Sequence, residues 1–308
     1  MSREMTQQSS QKTALPLFVY SSDYNLDLGP HVFPSVKFGY IYLKLVDDPR
    51  FKEHRFLEPA PITEQEARLV HDKEYMKDLL TLNNTKRLYR SELPLNKPVV
   101  DGFFLGCGGT VMAAREALEH GSAMNLGGGF HHSFREHAEG FCYLNDTAIA
   151  IRILQKEKKV KNVLVIDLDV HQGNGTAKIF QGDDTVFTFS MHEEENYPVK
   201  EKGDLDIGLR TNCPDEEYLT LLSRALQSIT ERFEPELIFY LAGVDVFEHD
   251  TLGGLSLTRN GMAERDRMIR DYRPEIPMVT LLAGGYARDN EDTVGLHTQT
   301  CEVLSGIK

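Results

Sequence analysis

Short apolar runs that end in polar residues recur along the chain: LFVY (17–20), AMNL (123–126), NVLVIDL (162–168), TVFTFS (185–190), LIFYLA (237–242) and MVTLLA (278–283). They lack the in–out alternation of a sheet with one wet face. Continuous apolar runs of this length are the pattern of strands buried on both sides, as in a parallel sheet. Helical spacing separates them. Thr63 with Glu66 makes a capping-box pattern that opens a helix to about Leu80, and helix-like spacing continues over 109–119, 146–156, 215–232 and 260–270. Strands alternating with helices predict right-handed crossovers, and so an α/β fold: a mostly parallel sheet in one domain with helices on both faces.

No internal repeat and no Gly/Ser/Pro linker interrupts this pattern, so a single domain is expected over 14–308. Residues 1–13 carry too little apolar surface to offset the entropy of ordering, and they read as a disordered tail. At 308 residues and 41% apolar composition the chain can bury a large core. A formal net charge of −13 repels phosphates, which argues against nucleic acid or an anionic membrane as partner and favours cationic ones. The four cysteines, Cys107, Cys142, Cys213 and Cys301, form no CxxC pair, so neither a disulfide framework nor a thiolate zinc site is expected. With no apolar leader and no run long enough to span a bilayer, a cytoplasmic protein is expected, with the nucleus open to it in a eukaryotic host. The sequence carries no signal of oligomeric state.

In parallel sheets ligands bind beyond the carboxyl ends of the strands. Four runs end in chemically useful residues there: AMNL in GGGFHH, NVLVI in DLDVH, LIFYLA in GVD and MVTLLA in GGY. Asp167, Asp169 and His171 are spaced i, i+2, i+4 and would share a face if strand geometry persisted. Such crowding fits either a divalent cation or a hydrogen-bonded polar cluster. Asp245, with Asp169 and His171, would complete a three-ligand site with an open position, as catalytic zinc requires; oxygen-rich ligation also admits Fe(II). The adjacent His131 and His132 could divide the roles of proton carrier and charge stabiliser, because one cationic imidazole keeps its neighbour neutral. Tyr286, on a tight loop, could donate to a developing oxyanion.

Taken in order, GGGFHH, GFC (140–142), DLDVHQGNG, AGVD, LGGLS (252–256) and GGY resemble the histone deacetylase family of zinc amidohydrolases, closest to its class IV. The resemblance runs from about Tyr20 to the C-terminus and implies the three-layer arginase/deacetylase fold. It further implies Asp169, His171 and Asp245 as metal ligands, His132 as general base and acid, and His131 as charge stabiliser. Asp167 becomes a partner of His131, not a ligand. Tyr286 matches the oxyanion-stabilising tyrosine, and Gly140, Phe141 and Tyr197 would line a tunnel for an acyl-lysine stem. A potassium ion is implied near Asp167, Ser190 and the backbone of Met191. Asn174 stands where class I members carry aspartate beside the second histidine; a neutral amide should raise the basicity of His132 less. HVFP (31–34) departs from the family's His-Pro segment.

Arginases share the architecture, but the positions of their second-metal carboxylates are Gly173 and Phe247 here. Acetylpolyamine hydrolysis would use the same catalytic set on a small acylated amine. A non-catalytic acyl-lysine binder would be expected to lack a ligand or the tyrosine, and every catalytic position is filled. Dinucleotide binding is weaker, since GCGGT (106–110) lacks the GxGxxG spacing.

Overall fold

A computed structural model describes residues 15–307; the tail expected over 1–13 lies outside them. Among the described residues eight strands form one sheet: β1 Leu17–Val19, β2 Phe56–Leu57, β3 Ser122–Asn125, β4 Val163–Asp167, β5 Val186–Glu193, β6 Leu205–Leu209, β7 Leu237–Leu241 and β8 Met278–Leu281. Their spatial order is β2-β1-β3-β8-β7-β4-β5-β6, and every ladder is parallel. The expected mostly parallel sheet is therefore parallel throughout its described strands.

Period-two geometry sends alternate residues of each central strand into different cores. Val163 and Val165 of β4, with Leu237, Phe239 and Leu241 of β7, pack under the helices Lys97–His120 and Asp146–Lys156. Leu164 and Ile166, with Ile238 and Tyr240, pack on the other face under Lys37–Asp47, Asp215–Arg232, Arg259–Asp271 and Asn290–Leu304. Fully burying each such aliphatic side chain contributes about 1.5–3 kcal/mol. Truncating one, as in Ile166→Ala, costs roughly 2–5 kcal/mol because the close-packed neighbours relax only partly.

Differences from the expected elements have local causes. The segment 63–80 is two helices, Glu64–Ala67, opened by the Thr63/Glu66 capping box, and Lys73–Leu80. Between them buried His71 reaches the Phe134 carbonyl (2.9 Å) and Asp72 N–H the Arg135 carbonyl (2.9 Å), so tertiary anchors break the helix. The helix expected over 109–119 begins at Lys97, through glycines that propensity disfavours. They permit close approach: a Cβ on Gly108 would lie 1.9 Å from the Ala60 carbonyl oxygen, and one on Gly109 2.0 Å from the Tyr24 hydroxyl. Strands β2 and β6 were not expected; both are edge strands, and β6 alternates half-buried with exposed residues. All four cysteines are free and buried. Among the described residues no helix is long and apolar enough to cross a membrane.

Candidate active site

The carboxyl ends of β3, β8, β7 and β4 lie side by side in the sheet, and the loops leaving them meet in one pocket. After β3 the chain turns through Gly128 and Gly129, at φ +80° and +83°, conformations that L side chains rarely adopt. A Cβ on Gly129 would also lie 2.7 Å from that of Ala283. The loop is clamped by Asp146, which accepts from Gly129 N (3.0 Å), Phe130 N (2.7 Å) and Thr110 Oγ1 (2.6 Å). Burial pushes the Asp146 carboxyl up, and these donors oppose the shift.

This loop delivers His131 and His132 with ring centroids 4.0 Å apart. His131 Nδ1 donates to Asp167 Oδ2 at 2.7 Å. His132 Nδ1 donates to Asn174 Oδ1 at 2.8 Å, which leaves Nε2 as its free nitrogen. Burial alone would lower both imidazoles. For His131 the charges of Asp167 and Asp169 and the Asp167 hydrogen bond outweigh burial and raise it to about 9. His132 has burial and then the charges of His131 and His171 against protonation, and it falls well below the usual imidazole value.

Strand geometry ends at Asp167, so the expected i, i+2, i+4 face does not continue. Asp169 and His171 instead lie on the following loop, pinned by Asp169 N to Asp167 Oδ1 (3.2 Å), His171 N to Asp169 Oδ1 (3.0 Å) and Gly284 N to Asp169 Oδ2 (2.9 Å). Asp245, beyond β7, accepts from Val170 N at 2.9 Å. One candidate ligand atom each from Asp169, His171 and Asp245 lies within 4.8 Å of the others, and all three residues are buried. Donors on a tetrahedral ion with ~2.1 Å bonds sit about 3.4 Å apart. His171 Nδ1 is 3.2 Å from Asp169 Oδ1 and 3.4 Å from Asp245 Oδ2.

Three observations test whether this set fits a cation. Asp245 Oδ2 is buried and, although His171 Nδ1 lies 3.4 Å away, it makes no hydrogen bond among the described residues. A Cβ on Gly284 would lie 2.1 Å from that oxygen and 2.5 Å from Asp169 Oδ2, so only glycine keeps the space open. Against burial, which lowers it, the two aspartates raise His171 to about 10, while burial and the Asp169 charge push Asp245 up to about 7. His171 and Asp245 are thus drawn toward their protonated forms while Asp169 is held ionised, a buried set short of positive charge that a divalent ion satisfies. The residues fit a metal.

Tyr286 lines the same pocket, and its backbone N–H is held by Asp250 Oδ2 at 2.6 Å. Burial, then the charges of Asp169 and Asp245, push its phenol well above the usual value, so it remains a donor. Gly140, Phe141 and Tyr197 also line this pocket. A Cβ on Gly140 would lie 2.5 Å from His132 Cδ2 and 2.8 Å from the Tyr197 hydroxyl, and Phe141 holds the uncommon φ of +61°. Asp167 and Ser190 face each other in the β4–β5 register, where Ser190 Oγ lies 2.9 Å from His192 Nδ1. Met191 follows, its side chain in the core of the helix-215 face.

Sequence reasoning missed Asp146 and Lys37. Lys37 is buried, donates from Nζ to the Ala283 carbonyl at 2.7 Å, and lies 5.7 Å from the Tyr286 ring centroid. Burial lowers it to about 8, opposed by Asp245, Asp169 and Asp250. Its signal was present: Lys37, Ile41 and Leu45 share one helix stripe, which places a lysine on the apolar face.

A doubly covered parallel sheet with this site at its strand ends defines the arginase/deacetylase class of α/β proteins. The family model described as "Histone deacetylase domain" matches residues 31–301, and the chain belongs to the histone deacetylase family. An uncharacterized protein of Picosynechococcus is 39% identical over 91% of this chain and 95% of its own length. Histone deacetylase 2 of Arabidopsis thaliana is 31% identical over 88% of this chain and 75% of its own. The crystal structure of an HDAC homologue complexed with SAHA superposes with a TM-score of 0.83 at 26% identity, covering 96% of this chain and 85% of that one. These relationships support a deacetylase-type amide hydrolase.

Proposed function

We propose that the protein is a metal-dependent lysine deacylase, its ion held by Asp169, His171 and Asp245. The observation that carries this reading is Asp245 Oδ2, without a hydrogen bond among the described residues, inside a buried cluster beside one charge-favouring and one neutral imidazole. When bound, the cation supplies Lewis acidity toward the amide carbonyl and the attacking water. Neutral His132 takes the water's proton on Nε2 and returns it to the departing ε-amine. Cationic His131 and the Tyr286 hydroxyl stabilise the negative charge that develops on the carbonyl oxygen. Gly140, Phe141 and Tyr197 hold the substrate's aliphatic stem.

Zinc is the metal the family suggests, with Fe(II) compatible with two carboxylates and one imidazole. A potassium ion near Asp167, Ser190 and Met191 has its footing in the adjacency of two oxygen-bearing side chains. The class IV assignment rests on Asn174 and the motif pattern. The test is turnover of lysine peptides bearing acyl groups of increasing length, with acetylspermidine in parallel, before and after chelation, with SAHA as competitor. Chelator-sensitive hydrolysis of a peptide series is expected. Preference for acetylspermidine would make the protein a polyamine amidohydrolase, and no turnover by metal-replete protein would leave an acyl-lysine binder.

A further inference from the structure

Beyond the Asn174 amide lies a carboxylate that no step above uses. Glu139 is buried immediately before Gly140 in the pocket wall. Its Oε1 accepts from Asn174 Nδ2 at 2.8 Å, and its Oε2 meets the exposed guanidinium of Arg90, with His137 Nε2 3.4 Å away. Asn174 Oδ1 in turn accepts from His132 Nδ1 at 2.8 Å and from Gly175 N at 3.0 Å. A continuous row therefore runs Arg90, Glu139, Asn174, His132.

The chemistry of the row admits one arrangement. An ionised carboxylate only accepts, so the amide must turn Nδ2 toward Glu139 and Oδ1 toward His132. Reversal would set the amide oxygen against the carboxylate and its NH2 against the Gly175 N–H. With Oδ1 facing it, His132 must carry its proton on Nδ1, which reserves the Nε2 lone pair for the pocket. Burial opposes ionisation of Glu139, but His137, Asn174 and Arg90 outweigh it and hold its carboxyl below the usual range. Asparagine at 174 is matched to this neighbour, because aspartate there would present two carboxylates to each other at hydrogen-bond distance.

We propose that Glu139 is a positioning residue of the site, fixing the orientation of the Asn174 amide and through it the tautomer of His132. Its kinetic consequence rests on the deacylase reading; its geometry does not.

The test is Glu139→Gln in two backgrounds. In the wild type kcat falls about 10-fold with KM changed less than about 2-fold, the size expected for losing a charge-assisted hydrogen bond. Asn174→Asp alone also loses activity, through opposed carboxylates, and adding Glu139→Gln to it restores activity, because the glutamine amide can donate to the new aspartate. Equal losses in both backgrounds would mean mere loop support and would overturn the proposal. If the glutamine variant does not fold, Asn174→Asp decides alone: a fall in kcat of roughly 10-fold supports the proposal, and an unchanged kcat overturns it. Long-range 1H–15N spectra of 15N-histidine-labelled protein, with His132 assigned from His132→Gln, read the tautomer without catalysis. A single Nδ1-protonated form that becomes mixed in Glu139→Gln is expected, and no change overturns the proposal. Wild-type protein that hydrolyses no acyl-lysine would sink the deacylase reading, while these spectra still decide the role of Glu139.

Discussion

His131 and His132 are chain neighbours, equally buried at 4% and 6% exposure, with rings 4.0 Å apart, yet they are driven to opposite charge states. Burial acts on both alike and explains nothing of the difference. The partner at Nδ1 differs: a carboxylate, Asp167, in one case and an amide, Asn174, in the other. Once His131 is cationic its charge further disfavours protonation of His132. A pair of identical side chains thus becomes one cation and one base through the carboxylates around His131 and the cationic imidazoles around His132, with the group behind each Nδ1 as the clearest difference between them.

The largest effect comes from removing what both imidazoles serve. Asp245→Asn should abolish metal retention, read as metal content after dialysis, and reduce hydrolysis to background; a variant that keeps a full equivalent of ion contradicts the ligand assignment. Next, His132→Ala should lower kcat by roughly 10²–10⁴-fold, and more than His131→Ala does, since it removes the proton carrier. Equal kcat in His132→Ala and wild type would reject the base assignment. A smaller effect is expected from Asp167→Asn, which removes the carboxylate behind His131 and leaves the partner of His132 in place. In chelator-treated protein it should drop the His131 pKa from about 9 by more than about one unit, followed by NMR titration, because the leading favourable charge is gone. A His131 that still titrates near its original value would show that Asp167 does not set its charge.

The smallest effect concerns a third buried imidazole, His71, whose Nδ1 donates to the Phe134 carbonyl and whose Nε2 accepts from Asn145 N at 3.1 Å. Burial holds it near 4, below the unfolded value of about 6.5. As pH falls between those values the unfolded chain binds a proton that the native state refuses. Its stabilisation is therefore complete above about 6.5 and declines toward 4, by at most about 1.4 kcal/mol per pH unit. Denaturant melts should show this slope in the wild type and its loss in His71→Gln.

Much of this arrangement was legible beforehand, and the illegible parts share a cause. β3, β4, β5, β7 and β8 announced themselves because strands buried on both faces admit little but apolar residues. β2 and β6 did not: both lie at the sheet edges, where β2 is only two residues long and β6 carries exposed positions between its half-buried ones. The paired histidines, DLDVH, GVD and GGY stood out as polar groups at the ends of apolar runs. Asp146 and Glu139 carried no comparable local mark and Lys37 only its place on an apolar helix stripe, since each gains its role from a partner distant in the chain: Gly129, Asn174 and Ala283.

The order of amino acids was enough to mark the strands buried on both faces and the reactive side chains that follow them, because side-chain periodicity and the length of apolar runs act over a few residues. The tertiary structure alone decided that β3, β8, β7 and β4 are neighbours, and so which partner each imidazole meets. Charge states in a buried site depend on atoms within a few ångströms in space, whatever their separation in the chain.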